Sequence, residues 1–512
     1  MSPTDEFRVL DPQTAVRRGG QEVRSTVYAP GRLLVQGLPG EDLDARIGRL
    51  GEVLGDGRAR VAPPGKEGGR LLPLLREAGP EVRELAARLW VSEVDLELAD
   101  RGRADSPPDA WEAVQQVRDL DPELGRAIGL SHLLRISAAS GDWGAHPYWG
   151  THPYWGTHPY WGTHPYWGTH GSPAAEYGVP GRGGRTPASW LGGDPAERAG
   201  EVGRAPVVAV PDTGLGPHPW FDGSPRVIRA ATFLGLPIGG ADHDLDTAAN
   251  YDRDGLLLPC SGHGTFIAGL IRQGCPEATI LPVPVVHPSG FVPEIELYQA
   301  LVLLLLRHVT GQVTGDPSLL VDMLSISLGY YHETPDDDGT TNFLRDLLDE
   351  YGRAGILVVA AAGNDGTEEP MLPAGFAGQV RPADPARLPL VSVGALNPGG
   401  RTTAFFSNTG PWVSCQRVGA ALVSTVPVTF QGAGQASVES TSASGALRGT
   451  MDLDDFTGGF AVWSGTSFAA PALAGALAAR LVTAGKTRTV SPVEMVDRGW
   501  DALAAELTWK RP

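Results

Sequence analysis

Cysteine and lysine are scarce in this chain. Its 512 residues hold 3 Cys, and its lysines are only Lys66, Lys486 and Lys510. Cys260, Cys275 and Cys415 cannot make a disulfide framework, since one is always left over. A Cys260–Cys275 bridge is one arrangement; three buried free thiols is the expected one. Positive charge is short overall: 41 Lys and Arg stand against 59 Asp and Glu, a net charge of −18. Nucleic-acid binding rests on clustered cations, so this balance argues against a nucleic-acid partner. It suits a monomer kept apart by self-repulsion. Long apolar runs are also missing. The longest, around Leu301–Leu306, falls far short of the ~18 residues a membrane helix needs, so no membrane span is expected. The opening MSPTDEFRVLDPQTAVRRGG has no apolar core of the kind a signal peptide carries. The expected location is the cytoplasm, with export by a route that uses no signal peptide as the alternative.

The apolar share, 42%, is enough to bury a substantial core, and the length suits two or three domains. Residues 1–140 read as a small α+β domain. Arg32–Gln36 and Ala59–Val61 are strand candidates. Helical spacing recurs at Leu43, Ile47, Leu50 and Leu54, again at Val82, Leu85 and Leu89, and again at Trp111, Val114 and Val117. Residues 141–204 read as repeat and linker. HPYWG occurs four times, from His146, His152, His158 and His164, and His170 follows at the same period. A proline every six residues forbids a continuous helix. In polyproline II, with three residues per turn, the five histidines would share a face, an arrangement that Zn or Ni could use. They lack the compact ligand set of zinc sites, so an expanded linker is the preferred reading and no metal ligands are assigned. Residues 171–204 are rich in Gly and Pro and aperiodic.

From residue 205 to 485 the pattern changes. Short apolar runs at 207–210, 323–328, 356–361 and 390–393 alternate with helical stretches at 294–309, 342–351 and 467–482. That alternation implies a mostly parallel sheet with helices on both faces. Residues 486–512 read as a C-terminal extension.

Three motifs in this region carry chemistry. In PVVAVPDTGL an apolar strand ends on Asp212, and the carboxyl ends of parallel strands are where catalytic groups collect. In SGHGTFIAGLI, His263 lies between two glycines at the start of an apolar helix. In WSGTSFAAPALAGALAARL, Ser467 opens a helix of small residues. Each alone has a plainer meaning: a turn former, a structural histidine, a helix cap. Together, in the order Asp, His, Ser, they match one of the known arrangements of a catalytic triad.

On these motifs residues 205–485 resemble the catalytic domain of the subtilisin-like serine proteases, the subtilases. Two further segments carry the same resemblance. VVAAAGNDG, with Asn364, is similar to the segment that supplies the side-chain donor of the oxyanion hole. LSISLGY, with Ser327, Leu328 and Gly329, is similar to the strand that pairs with substrate backbone. The resemblance implies a three-layer α/β subtilisin-like domain, with Asp212, His263 and Ser467 as the triad of a serine endopeptidase acting on polypeptides through an acyl-enzyme. It also implies that residues 1–140 are a prodomain, with self-cleavage expected in 171–204; a permanent recognition domain is the alternative. Other functional readings are a maturation protease with a single substrate and a catalytically silent binding protein on the same scaffold. No cofactor is expected to be required. The acidic segment Asp242–Asp254 suits calcium, which many subtilases carry, but an acidic surface loop is the preferred reading. Three departures stand out. Pro211 occupies a strand position where a donor is expected, Phe266 replaces a frequent second histidine, and residues 432–459 look like an inserted loop or hairpin.

Overall fold

The computed structural model describes residues 6–17, 22–55, 60–62, 68–97, 109–136, 173–174, 177, 182–334, 342–378, 384–485 and 489–512. The HPYWG repeat lies outside the described residues.

The N-terminal part is an antiparallel sheet in the order Ile128–Ile136, Val27–Gln36, Val91–Glu97, Arg60–Ala62. Its strands alternate, and both faces are used. Leu33, Val35 and Leu130 join Leu43 and Leu50 of helix Glu41–Leu54 and Trp111, Val114 and Val117 of helix Ala110–Leu120 in a core of their own. Leu34, Leu134 and Ile136 instead belong to the core that runs through the rest of the protein. Helix Pro80–Leu89 is fixed there too, its Leu89 carbonyl accepting the Tyr298 hydroxyl at 2.6 Å.

The second part is built on six parallel strands in the order Thr279–Pro284, Val207–Asp212, Met323–Ile326, Leu357–Ala361, Leu390–Leu396, Cys415–Val418. Every residue of Val207–Asp212, Met323–Ile326 and Leu357–Ala361 is buried, as strands covered on both faces must be. Helices His263–Gly274, Glu294–Thr314, Phe343–Arg353 and Thr466–Thr483 supply the cover. This is the three-layer α/β arrangement that the alternation implied. Thr466–Thr483 is apolar and long enough to cross a membrane by composition, but it is 67% buried inside the protein.

Pro211 is accommodated because the ladder to Met323–Ile326 ends at Ala209, two residues earlier. The segment 182–204, read from composition as linker, lies against the second part. Thr186–Pro187 pairs with Phe460–Trp463, and the Arg185 guanidinium sits 5.1 Å from the Trp463 ring while donating to the Ser261 carbonyl at 2.8 Å. The C-terminal residues likewise form a packed helix, Pro492–Leu507, whose buried Arg498 pairs with buried Asp322. Residues 439–449 form an exposed hairpin within the inserted segment. All three cysteines are free. Cys260 and Cys275 are buried as expected; Cys415 is half-buried, on an edge strand.

Candidate active site

Asp212, Ser327 and Asn364 come from, or just beyond, the carboxyl ends of three adjacent strands. In a parallel sheet this edge is where polar side chains converge. His263 and Ser467 arrive from the starts of two helices that pack closely. At their crossing, a Cβ on Gly475 would lie 2.9 Å from the Ile271 carbonyl oxygen, so glycine is required for that approach.

The imidazole of His263 is fully buried, and its Nδ1 lies 2.8 and 2.9 Å from the two Asp212 carboxylate oxygens. Asp212 is held in turn by the Thr213 backbone N–H at 2.8 Å. Thr213 Oγ1 accepts from the Gly264 N–H at 2.9 Å, which ties the start of the histidine helix to the aspartate. A Cβ at Gly264 would fall 2.3 Å from the Gly214 carbonyl, so only glycine fits beside His263. The ring is flanked by Phe468 and Trp463, with centroids 5.2 and 5.6 Å away.

With Nδ1–H donated to Asp212, His263 Nε2 is an acceptor. It is buried and has no hydrogen-bond partner among the described residues. The Ser467 hydroxyl donates to the Ser327 carbonyl at 3.1 Å, and the Ser327 hydroxyl donates to the Ser467 carbonyl at 3.0 Å. The sequence candidates Asp212 and His263 are therefore in direct contact, and Ser467 is locked to Ser327. To use the imidazole as base, the serine hydroxyl must exchange the Ser327 carbonyl for Nε2, a tightening that often waits for substrate.

Asn364 is 7% exposed, and its Oδ1 accepts both the backbone N–H and the hydroxyl of Thr466, each at 2.9 Å. Fixing Oδ1 orients the amide, so that Nδ2 is the end turned away from Thr466. Thr466 Oγ1 also accepts from the Gly363 N–H at 3.1 Å. Thr466 was not among the sequence candidates; its only signal there is its place beside Ser467.

The strand Ile128–Ile136 of the N-terminal part runs antiparallel between two short strands of the second part. Phe291–Pro293 pairs with Leu133–Arg135 on one edge. Leu328–Gly329 pairs with Ile136 and Arg135 on the other. The Ile136 N–H donates to the Gly290 carbonyl at 2.9 Å. Leu328 and Gly329, expected to pair with substrate, thus pair with this chain's own N-terminal part.

The same strand carries a buried ionic contact that no local sequence pattern announces. His132 Nδ1 lies 2.5 Å from Glu294 and its Nε2 2.9 Å from Glu333, all three being buried. Burial opposes a charge on His132, but the two carboxylates outweigh it and raise the imidazolium to about 10. Burial also opposes charge on Glu333, yet His332 and His132 hold its carboxyl well below the usual range. Tyr330 stacks on His132 at 4.4 Å.

The acidic segment 242–254 turns its carboxylates onto backbone. Asp244 accepts from the Gly262 and Thr265 N–H groups and from the Thr265 hydroxyl, capping the His263 helix from outside it. Burial, against those bonds, raises its carboxyl to about 6. Asp242 accepts from Leu215 and Leu245, and Asp252 from Asp254 and Leu256. Among the described residues no three His, Cys, Asp or Glu side chains are grouped to hold a metal.

Residues 203–496 match the model of the subtilase family, Peptidase_S8. The serine protease AprX of Bacillus subtilis (strain 168) is 28% identical over 227 residues, 41% of this chain and 44% of the relative. The minor extracellular protease Epr of the same organism is 26% identical over 272 residues, 51% of this chain and 34% of the relative. This chain thus spans less than half the length of either. Among solved structures, fervidolysin from Fervidobacterium pennivorans, described as a keratinolytic enzyme related to subtilisin, has a TM-score of 0.47 at 18% identity, covering 97% of this chain and 63% of that one. The family match spans more than half of the residues and contains all three motifs in order, so the chain belongs to the subtilase family.

Proposed function

We propose that the protein is a serine endopeptidase. Ser467 Oγ adds to the scissile carbonyl and passes its proton to His263 Nε2. The resulting imidazolium is held by Asp212, which stays ionised. The C–N bond then breaks, the proton goes to the leaving amine, and an acyl-serine remains for water to hydrolyse. The oxyanion is stabilised by the Asn364 amide and the Ser467 backbone N–H. These steps call on the chain's own residues and need no cofactor.

The observation that carries this reading is the buried Asp212–His263 pair. Its outer nitrogen has no partner among the described residues, and its ring lies 5.2 Å from that of the residue after Ser467. Casein hydrolysis by the purified protein tests it. Activity that vanishes in Ser467→Ala supports the reading, and activity that survives the substitution overturns it. Cleavage of casein at many sites also separates a general endopeptidase from a maturation protease with one substrate. The buried, oriented Asn364 speaks against a silent binding scaffold.

The N-terminal part is proposed to be a domain that blocks the cleft until it is cut away. Its Ile128–Ile136 strand lies in the lane between Phe291–Pro293 and Leu328–Gly329. Because Ala174, Tyr177 and 182–204 are tied into the second part, the expected cut falls between Ile136 and Pro173, ahead of nearly all of the 171–204 stretch that composition alone suggested. Intact-mass measurement of the protein beside its Ser467→Ala form decides this. Masses that differ only by the one oxygen atom that the substitution removes would rule out self-processing.

A further inference from the structure

Arg135 is the cleft-bound residue opposite Gly329, and its guanidinium enters a built pocket. It pairs with Asp365 at 2.5 Å and lies 5.8 Å from the centre of the Tyr331 ring. The Tyr331 hydroxyl donates to the same Asp365 oxygen at 2.5 Å. Behind them Asn408, fully buried, donates to the Tyr331 oxygen at 2.9 Å and to the Ala362 carbonyl at 3.0 Å. Its Oδ1 accepts the backbone N–H of Asp365 at 3.0 Å. The Asp365 side chain is only 9% exposed. Asp365 directly follows the candidate oxyanion residue Asn364, so the pocket is rigidly joined to the reaction centre.

We infer that Asp365, Tyr331 and Asn408 form an arginine-selecting subsite of the substrate cleft, now filled by the protein's own Arg135. The inference rests on the peptidase reading above. Asp365 is a nearly buried carboxylate, and removing its partner would leave that charge uncompensated. The pocket pairs a carboxylate with an aromatic face, the combination that favours a planar, weakly hydrated guanidinium over a lysine ammonium. Register fixes the position. Ile136 pairs with Leu328, so the next substrate residue would pair with Ser327, whose carbonyl binds the Ser467 hydroxyl. With the residue opposite Ser327 supplying the scissile carbonyl, the selected arginine is the third residue before the bond that is cut.

The test uses the protein as purified and four peptides that differ at that position alone: Arg, Lys, citrulline and Ala. The Arg peptide should exceed the citrulline and Ala peptides in kcat/KM by about 10–100-fold, the effect of one charge-assisted bond to a shielded carboxylate. Lys should fall between. In Asp365→Asn the Arg-to-citrulline ratio should drop to within about 3-fold of one, and Asp365→Glu should restore part of it. Labelling of Ser467 by a fluorophosphonate shows that each variant is folded. Equal rates on Arg, citrulline and Ala peptides would overturn the subsite while leaving the peptidase reading standing, as would a preference that survives Asp365→Asn. Failure to cut any peptide or to label Ser467, in protein whose intact mass shows the N-terminal part to have been cut away, would overturn the peptidase reading itself.

Discussion

Replacing His132 by Gln should loosen the N-terminal part in a way that depends on pH. In the native protein the imidazole bridges Glu294 and Glu333, with each ring nitrogen on one carboxylate. Glutamine keeps a donor but loses the charge, and leaves two buried acids close together. Breaking a buried ion pair from one side costs about 3–5 kcal/mol. The same range follows from the raised imidazolium, lifted from 6.5 to about 10, since each tenfold gain in proton affinity is worth about 1.4 kcal/mol. The two figures describe one contact and are not added. A cation whose folded value is raised contributes in full below its unfolded value and loses that contribution as pH climbs through the folded one. The window is therefore pH 6.5 to about 10. Among neighbouring groups, His332 is 5.6 Å away and held below its ordinary value by burial; the Arg118 charge also bears on Glu333. The assay is urea unfolding of His132→Gln and its parent, both carrying Ser467→Ala so that neither can process itself. At pH 7 the variant should be less stable by about 3–5 kcal/mol, and the gap should close toward pH 10. A gap that stays constant from pH 7 to 10, or no gap at pH 7, would refute this account of the contact.

Three further outcomes are expected. Asn364→Ala should lower kcat by about 10²–10³ with little change in KM, a magnitude taken over from subtilisin itself rather than worked from this chain; equal effects on kcat and KM would remove Asn364 from the oxyanion hole. Thr466→Val should lower kcat by roughly 10-fold by removing one of the two donors that hold Asn364 Oδ1, with Thr466→Ser restoring it; a change confined to stability would make Thr466 merely structural. Asp244 has its carboxyl raised to about 6 by burial, so its ionisation opposes folding as pH rises from about 4 to 6. Measured by denaturation, wild-type protein should lose about 2–3 kcal/mol relative to Asp244→Asn across that interval, and parallel pH profiles would contradict this.

The placement of Asp212, His263, Asn364 and Ser467 at the ends of strands or the starts of helices was legible because each sits in a short local motif. The central strands were legible as short, mainly apolar runs. Thr279–Pro284 was not, because Pro282 and Pro284 argue against a strand; it stands at the sheet's edge, where a missing donor is tolerated. Cys415–Val418, at the other edge, is half-buried throughout and shows no apolar run. Arg185 and Trp500 fall in segments that look like a linker and an extension, since composition does not reveal what a residue packs against. His132 with Glu294 and Glu333, and Arg135 with Asp365, meet across 162 to 230 residues. Those contacts depend on the register of Ile128–Ile136 between two strands far along the chain, which no local pattern encodes.

The most direct measurement is covalent labelling by a fluorophosphonate, with the modified residue mapped by mass spectrometry in wild-type protein and in His263→Ala. The account predicts a single adduct on the Ser467 oxygen, formed at least about 10²-fold more slowly without the imidazole that takes up its proton. An adduct on another residue, or labelling of Ser467 at an undiminished rate in His263→Ala, would contradict it.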